Sequence, residues 1–288
     1  MHTNFLGQRL DNSLQAYGGS EKFNLTRIPL FTISRNALAN QNALRVASQS
    51  PTPSVKPKYL YRIFIDRLLE QINSFPLLVR FLELIHEASD GDYYIFGGTL
   101  RRTLMSSEAE CDLDIMVPNG DKRIFQLLDK HRVPYALNRR KHRRYSWNGL
   151  QFDINHPQEW CENFKDISDA LRYFDLRINS LAYHVQTKTI IDPNGMVVSR
   201  SYCDPGINWK RWRSMPSLEL AILAIRLHRI LMECPQLQLN KTDIDILLKD
   251  VVPVVASVDW LGLYERFPRG RDVFLSDFEE TVVSRVTQ

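Results

Sequence analysis

Residues 93–117 read YYIFGGTLRRTLMSSEAECDLDIMV. The first four, all apolar or aromatic, predict a short strand. Gly97 and Gly98 then let the backbone turn sharply and come close to a ligand, and the spacing of Leu100 and Leu104 predicts a helix over residues 99–105. Asp112 and Asp114, two positions apart, project from one face of a following strand, with Leu113 and Ile115 on the other. A helix N-terminus behind a glycine turn offers free N–H groups and a favourable dipole to phosphate. Arg101, with Arg102 beside it, adds positive charge there. Paired carboxylates suit Mg²⁺, which keeps some waters and takes its remaining ligands from substrate phosphates. A Gly-Gly pair alone is usually a plain turn, and an Asp-x-Asp alone a solvated face. The order strand, Gly-Gly, helix, acidic strand points to a divalent metal holding a nucleotide.

A third carboxylate stands in LQFDIN, residues 150–155, where Phe152 and Ile154 face one way and Gln151, Asp153 and Asn155 the other. Further on, residues 174–195 read FDLRINSLAYHVQTKTIIDPNG. Residues 181–185 and 189–191 predict a hairpin with its turn at residues 186–188, and Asp192, Pro193, Asn194 and Gly195 form a strong turn signal. Asp192 and Pro193 read as scaffold.

Together these residues resemble the head domain of the DNA polymerase β-like nucleotidyltransferases, particularly bacterial poly(A) polymerases and class II, CCA-adding tRNA nucleotidyltransferases. In that family a Gly-Gly-x-x-x-Arg-like opening precedes an Asp-x-Asp strand, and a third carboxylate arrives on a later strand. Here Gly97, Gly98 and Arg101 match the opening, Asp112 and Asp114 the pair, and Asp153 the third acid. Asp175, Ile178, Asn179 and Leu181 match the family's Arg-Arg-Asp-Phe-Thr-Ile-Asn-Ala-Leu segment. Ile191, Asp192, Pro193 and Gly195 match the Ile-Asp-Pro and glycine turn into which that segment continues. Ala224, Ile225 and Arg226 of SLELAILAIRLHRIL match the Leu-Arg-Ala-Ile-Arg-Phe helix.

The chain also departs from the pattern. Arg102 stands where an acid often succeeds the first arginine, Tyr173 and Phe174 replace an arginine pair, and Arg177 replaces threonine. Leu220 and Leu223 occupy positions where arginine is common, and no Glu-Asp-x-x-Arg base-selecting motif stands near the C-terminus.

The resemblance spans roughly residues 60–235 and implies an α/β (α+β) head with a mixed sheet and flanking helices, continuing into a short helical domain. It implies transfer of a nucleoside monophosphate from an NTP to an acceptor hydroxyl. Asp112, Asp114 and Asp153 would be catalytic and metal-binding, holding two Mg²⁺ ions, with Mn²⁺ as the alternative ion. Gly97, Gly98, Arg101, Asp175, Asn179 and Arg226 would bind the nucleotide. An RNA 3′ end, of tRNA or another RNA, is the first acceptor; a protein or small molecule is the second, as in toxin or defence enzymes. A third reading is an inactive head that binds nucleotide or RNA.

With 288 residues and 44% hydrophobic content, the chain is long enough to bury a full core. Its 37 basic and 33 acidic residues leave a net charge of only +4, so charge placement says more than the total. RRKHRR, residues 139–144, reads as a basic hairpin tip just before the strand bearing Asp153. Its Arg139, Arg140, Lys141, Arg143 and Arg144 are candidate RNA or phosphate contacts, with His142 among them. Trp209 and Trp212, interleaved with Lys210 and Arg211, are stacking platforms for bases or packing anchors.

The four cysteines, Cys111, Cys161, Cys203 and Cys234, form no Cys-x-x-Cys pair, which argues against a structural zinc and a secreted disulfide scaffold. A cytoplasmic setting is the simplest, with organellar import a minority alternative. Residues 1–57 read as a flexible arm and linker, rich in Asn, Ser and Gln, with no stretch suited to a membrane span. Residues 58–205 are expected to form the head and 206–288 a small helical, neck-like domain. Beyond the helix after the glycine turn, helices are expected over residues 59–72, 76–88, 122–131, 215–232, 242–249 and 257–266, with His228 structural on an apolar face. Oligomeric state has no signal.

Overall fold

Seven short strands hydrogen-bond side by side in the order β3-β4-β5-β2-β1-β6-β7, and this sheet places the acidic residues. The computed structural model describes residues 57–105, 112–118, 122–137, 143–147, 150–156, 164, 166–198, 203–263 and 266–286. The strands are β1 (Tyr94–Phe96), β2 (Asp112–Met116), β3 (Tyr135–Leu137), β4 (Arg143–Trp147), β5 (Leu150–Asn155), β6 (Ala182–His184) and β7 (Thr189–Ile191). Only β2 and β5 run parallel; the other neighbours are antiparallel. The expected α/β head with a mixed sheet is therefore present.

Alternation along the strands gives the sheet two unlike faces. Ile95, Leu113, Ile115, Phe152 and Ile154 are all buried on one. Helices α1 (Pro57–Asn73) and α2 (Pro76–Ser89) supply Ile63, Phe64, Leu68, Phe81 and Leu82 to the same core. Phe81 stacks on Phe152 with ring centroids 3.6 Å apart. Pro76 opens α2 in its first turn, where a missing N–H costs nothing, and Asp90 closes it in the left-handed conformation. Helix α3 (Gly98–Met105) leaves the glycine turn, and α4 (Lys122–Lys130) lays Ile124 and Leu128 inward. On the opposite face, α5 (Ile167–Arg172) packs Ile167, Ala170 and Leu171 against Phe96, Met116 and Ala182.

After the β6–β7 hairpin the chain is helical: α6 (Trp209–Trp212), α7 (Ser217–Glu233), α8 (Lys241–Ile246), α9 (Val252–Ser257) and α10 (Arg271–Ser284). The helical region differs from the sequence reading at several points. The helix expected over residues 257–266 is instead a single 3₁₀ turn, Trp260–Leu263, among the described residues. The helix expected over residues 242–249 is divided between α8 and a wider turn, and Pro253 sits in the first turn of α9. A wide π turn, Leu247–Val251, joins α9 to α8, so the helical path continues through the proline. Trp212 is buried and donates its indole N–H to the Asp175 carbonyl at 3.1 Å; Trp209 donates to Asp243 Oδ1 at 2.6 Å. Both tryptophans are therefore packing anchors. Asp192 is also scaffold, accepting from the Met196 and Val197 amides and from Tyr61 Oη.

His228 on α7 is buried edge-on to Phe267, Phe274 and Phe278. Burial lowers its pKa below the ordinary value, with Asp277 raising it and Arg269 lowering it as smaller influences. The unfolded chain thus binds the proton more readily than the folded one. Stability should be full above the unfolded pKa, about 6.5, and fall as pH drops from there toward the folded pKa. Melting temperature is expected to fall between about pH 7.5 and 5.5, and His228→Phe should flatten that fall. An identical pH profile in the variant would remove His228 as its source.

Candidate active site

Gly97 directly follows β1, and its φ of +74° is one that L side chains rarely adopt. A Cβ built there would lie 2.7 Å from Asp114 Oδ2, so the Asp114 carboxylate rests directly against the glycine turn. The sheet register sets Asp114 opposite Phe96 on β1 and opposite Asp153 on β5. Since paired positions share a face, Asp114 and Asp153 are neighbours on the face that α5 only partly covers. Asp112 opens β2 opposite Gln151; its side chain lies outside the described residues.

Asp153 is held by Arg144 in a two-pronged pair, with Nε to Oδ1 at 2.9 Å and Nη2 to Oδ2 at 2.5 Å. The pairing is a result of register, because Arg144 and Asp153 are direct partners across β4 and β5. Arg143 and Arg144 therefore belong to a strand, which corrects their placement in a loop tip; Arg139, Arg140, Lys141 and His142 lie outside the described residues. The side chains of Arg143 and Arg144 are both engaged within the protein. Arg143 reaches Asp129 at 3.0 Å and lies over the rings of Tyr135 and Phe125. Hydrogen bonds to Tyr145 and Asp129 hold its guanidinium above its ordinary pKa.

The two arginines of α3 fold back along the helix: a Cβ on Gly98 would stand 3.5 Å from Arg102 Nη1 and 3.8 Å from both terminal nitrogens of Arg101. Arg101 is only 3% exposed. It donates from Nη1 to Asn179 Oδ1 at 2.7 Å and from Nη2 to Glu233 Oε2 at 3.4 Å. Burial, then the neighbouring Arg102, lowers its pKa, and Glu233 opposes them. Arg102 also approaches Glu233, at 3.8 Å, and Arg229 does so from its own helix at 3.4 Å. Arg101 thus ties α3 to the 3₁₀ turn at Arg177–Asn179 and to the end of α7. Glu233 was not legible as a partner, since a single acid at the end of LHRILME resembles any solvated helix end.

Asp175 is buried between two roles. Its Oδ1 accepts from the Leu176 amide at 3.1 Å and its Oδ2 from Arg226 Nη1 at 2.5 Å. The Arg226 side chain keeps 42% exposure. Its pKa is raised chiefly by Asp175, with Asp114 and Glu219 adding. The face thus combines carboxylates, a glycine turn and the part-exposed side chain of Arg226.

Among the described residues no three His, Cys, Asp or Glu side chains gather closely enough to hold a metal. Asp114 and Asp153 nevertheless offer hard oxygen donors on adjacent strands, the donor chemistry that suits Mg²⁺ or Mn²⁺.

No protein-family model matches the chain, and no curated protein matches it in sequence. Solved structures do match its fold. A CCA-adding enzyme in complex with ATP aligns with a TM-score of 0.57 at 16% identity, over 76% of this chain and 55% of that one. A CCA-adding enzyme with CTP aligns at 0.52 and 15% identity, over 76% and 53%. The Thermotoga maritima CCA-adding enzyme complexed with tRNA aligns at 0.52 and 18% identity, over 76% and 54%. The chain spans about half the length of these structures. At such identities the likeness is one of fold.

Proposed function

We propose that this protein is a metal-dependent nucleotidyltransferase that moves a nucleoside monophosphate from an NTP to the 3′ hydroxyl of an RNA, releasing pyrophosphate. The observation that carries the reading is the seating of the Asp114 carboxylate against Gly97, beside Asp153, at the N-terminal end of α3. The shared fold with CCA-adding enzymes supports it.

Asp112, Asp114 and Asp153 would hold Mg²⁺, and two such ions, when bound, neutralise the attacking and leaving oxygens of an in-line displacement. The chain's own groups do the rest. The amides at Gly97 and Gly98 open α3 toward the triphosphate, where helix dipole and free N–H groups favour anions. Arg226 presents a guanidinium to the phosphates, oriented by Asp175, and Asn179 fixes the turn beside the ribose through its bond to Arg101. Arg101, being buried, acts by bracing that frame. Asp153 helps activate the acceptor hydroxyl by taking up its proton. That oxygen attacks the α-phosphorus, the α–β bridging bond breaks, and pyrophosphate carries away the electron pair.

Incubation of the full chain with each α-labelled NTP, Mg²⁺ and total RNA is expected to give RNA bearing label, and a chelator should prevent it. Label on protein or on a small molecule would refute the RNA acceptor. Nucleotide binding with no transfer under any condition would refute the enzyme. The pairing of Asp153 with Arg144 is the specific observation behind that inactive alternative.

A further inference from the structure

Residues 122–144 hold nine of the chain's 37 Lys and Arg but one of its 33 Asp and Glu. The remainder has 28 basic and 32 acidic residues, net −4, so the positive balance of the whole protein comes from this one segment.

Part of that charge is neutralised internally, because Arg123 pairs with Asp90 and Arg143 with Asp129. Lys122 on α4, and Lys130, His131 and Arg132 around its end, are all exposed. The turn leads into β3, an edge strand paired only with β4, whose three residues are all exposed. Tyr135 keeps 45% exposure and Leu137 62%. Arg143 lies 4.4 Å over the Tyr135 ring, and Tyr145 packs beside that ring with centroids 5.6 Å apart. A planar ring is thus anchored from within and half open to solvent. Its anchor is the residue next to Arg144, which faces the other way to Asp153.

We infer that the end of α4, the turn at residues 130–132 and the edge strand β3 form a docking surface for single-stranded RNA. The inference rests on the proposed function only for the choice of RNA as occupant, since Tyr135 shares the face of Tyr145 and Phe152 while Asp114 and Asp153 lie on the other face of the sheet. Exposed cations meet the phosphates, and Tyr135, with a cation behind it, stacks a base. An acidic protein segment would satisfy the cations but leave the stacking ring without a planar partner, so RNA fits better.

The test is fluorescence anisotropy of a 5′-labelled oligouridylate against the full chain across a salt series. Lys130→Glu with Arg132→Glu should weaken binding by about ten-fold or more and make the slope of log affinity against log salt shallower by about 1.4. Melting temperature should stay unchanged. Tyr135→Ala should cost between about five-fold and a hundred-fold, while Tyr135→Phe should retain affinity. Wild-type affinity and slope in the double variant would overturn the surface. So would competition by polyglutamate as effective as by unlabelled RNA, which would identify an acidic protein site. Binding and transfer are read separately: RNA held as expected without nucleotide transfer sinks the proposed reaction and leaves the surface standing, and transfer with unaltered RNA binding in the double variant does the reverse.

Discussion

Asp114→Ala is expected to reduce nucleotide transfer by on the order of a thousand-fold or more, about 4 kcal/mol of transition-state stabilisation. The carboxylate is the point where the glycine turn, β2 and the neighbour of Asp153 meet, and its charge also supports Arg226. Two readouts make the result specific. Melting temperature should change little, because the residue is only partly buried and removing one of two neighbouring carboxylates relieves repulsion. Affinity for Mn²⁺, measured by electron paramagnetic resonance, should fall with activity. Transfer at the wild-type rate in Asp114→Ala would exclude a metal-centred reaction on this face.

Gly97→Ala should be nearly as damaging by a different route. A residue with a Cβ at φ +74° costs about 1–2 kcal/mol in backbone strain alone. The new methyl would then sit 2.7 Å from Asp114 Oδ2, so either β1 or the carboxylate has to move. A displacement of about 1 Å at a reacting centre costs on the order of a hundred-fold in rate. The expected outcome is a loss of that size with a melting temperature several degrees lower. Gly98→Ala serves as the contrast in melting temperature, because its Cβ would make only ordinary contacts at 3.5–3.8 Å and alanine is favoured in a helix. Equal falls in melting temperature in the two variants would show that the strained turn and its contact with Asp114 are irrelevant.

Much of this arrangement was legible in the residues. Alternation in LQFDIN and over residues 113–115 set which side chains are buried, with buried Met116 the exception on the acidic face, and Gly-Gly between a strand and a helix marked the turn. The hairpin at residues 181–191 was marked by its apolar runs. Long-range ion pairs were not legible, because nothing local to Glu233 or Arg101 states that residues 132 positions apart will meet. Arg101 reads as an exposed phosphate ligand until the burial imposed by α7 is seen. Helix α10 was missed for a local reason. Phe274, Phe278 and Val282 mark its inner stripe, but Val273 and Val283 are exposed and blur the periodicity. The sequence RRKHRR likewise gives no sign that its last two arginines enter a strand with opposite assignments.

The Arg144–Asp153 pair bears on how ion and acceptor depend on each other. Adjacent carboxylates repel, and a tethered guanidinium lets them lie side by side as the chain folds. On the proposed reaction, loading the ion is then a displacement of a cation whose local concentration the backbone fixes. Whatever draws Arg144 off Asp153 would strengthen ion binding, and a polyanion engaging the part-exposed Arg144 is such an agent. By thermodynamic reciprocity the bound ion strengthens the hold on that polyanion by the same factor. On that reading the metal centre would assemble most completely when the acceptor strand is already in place.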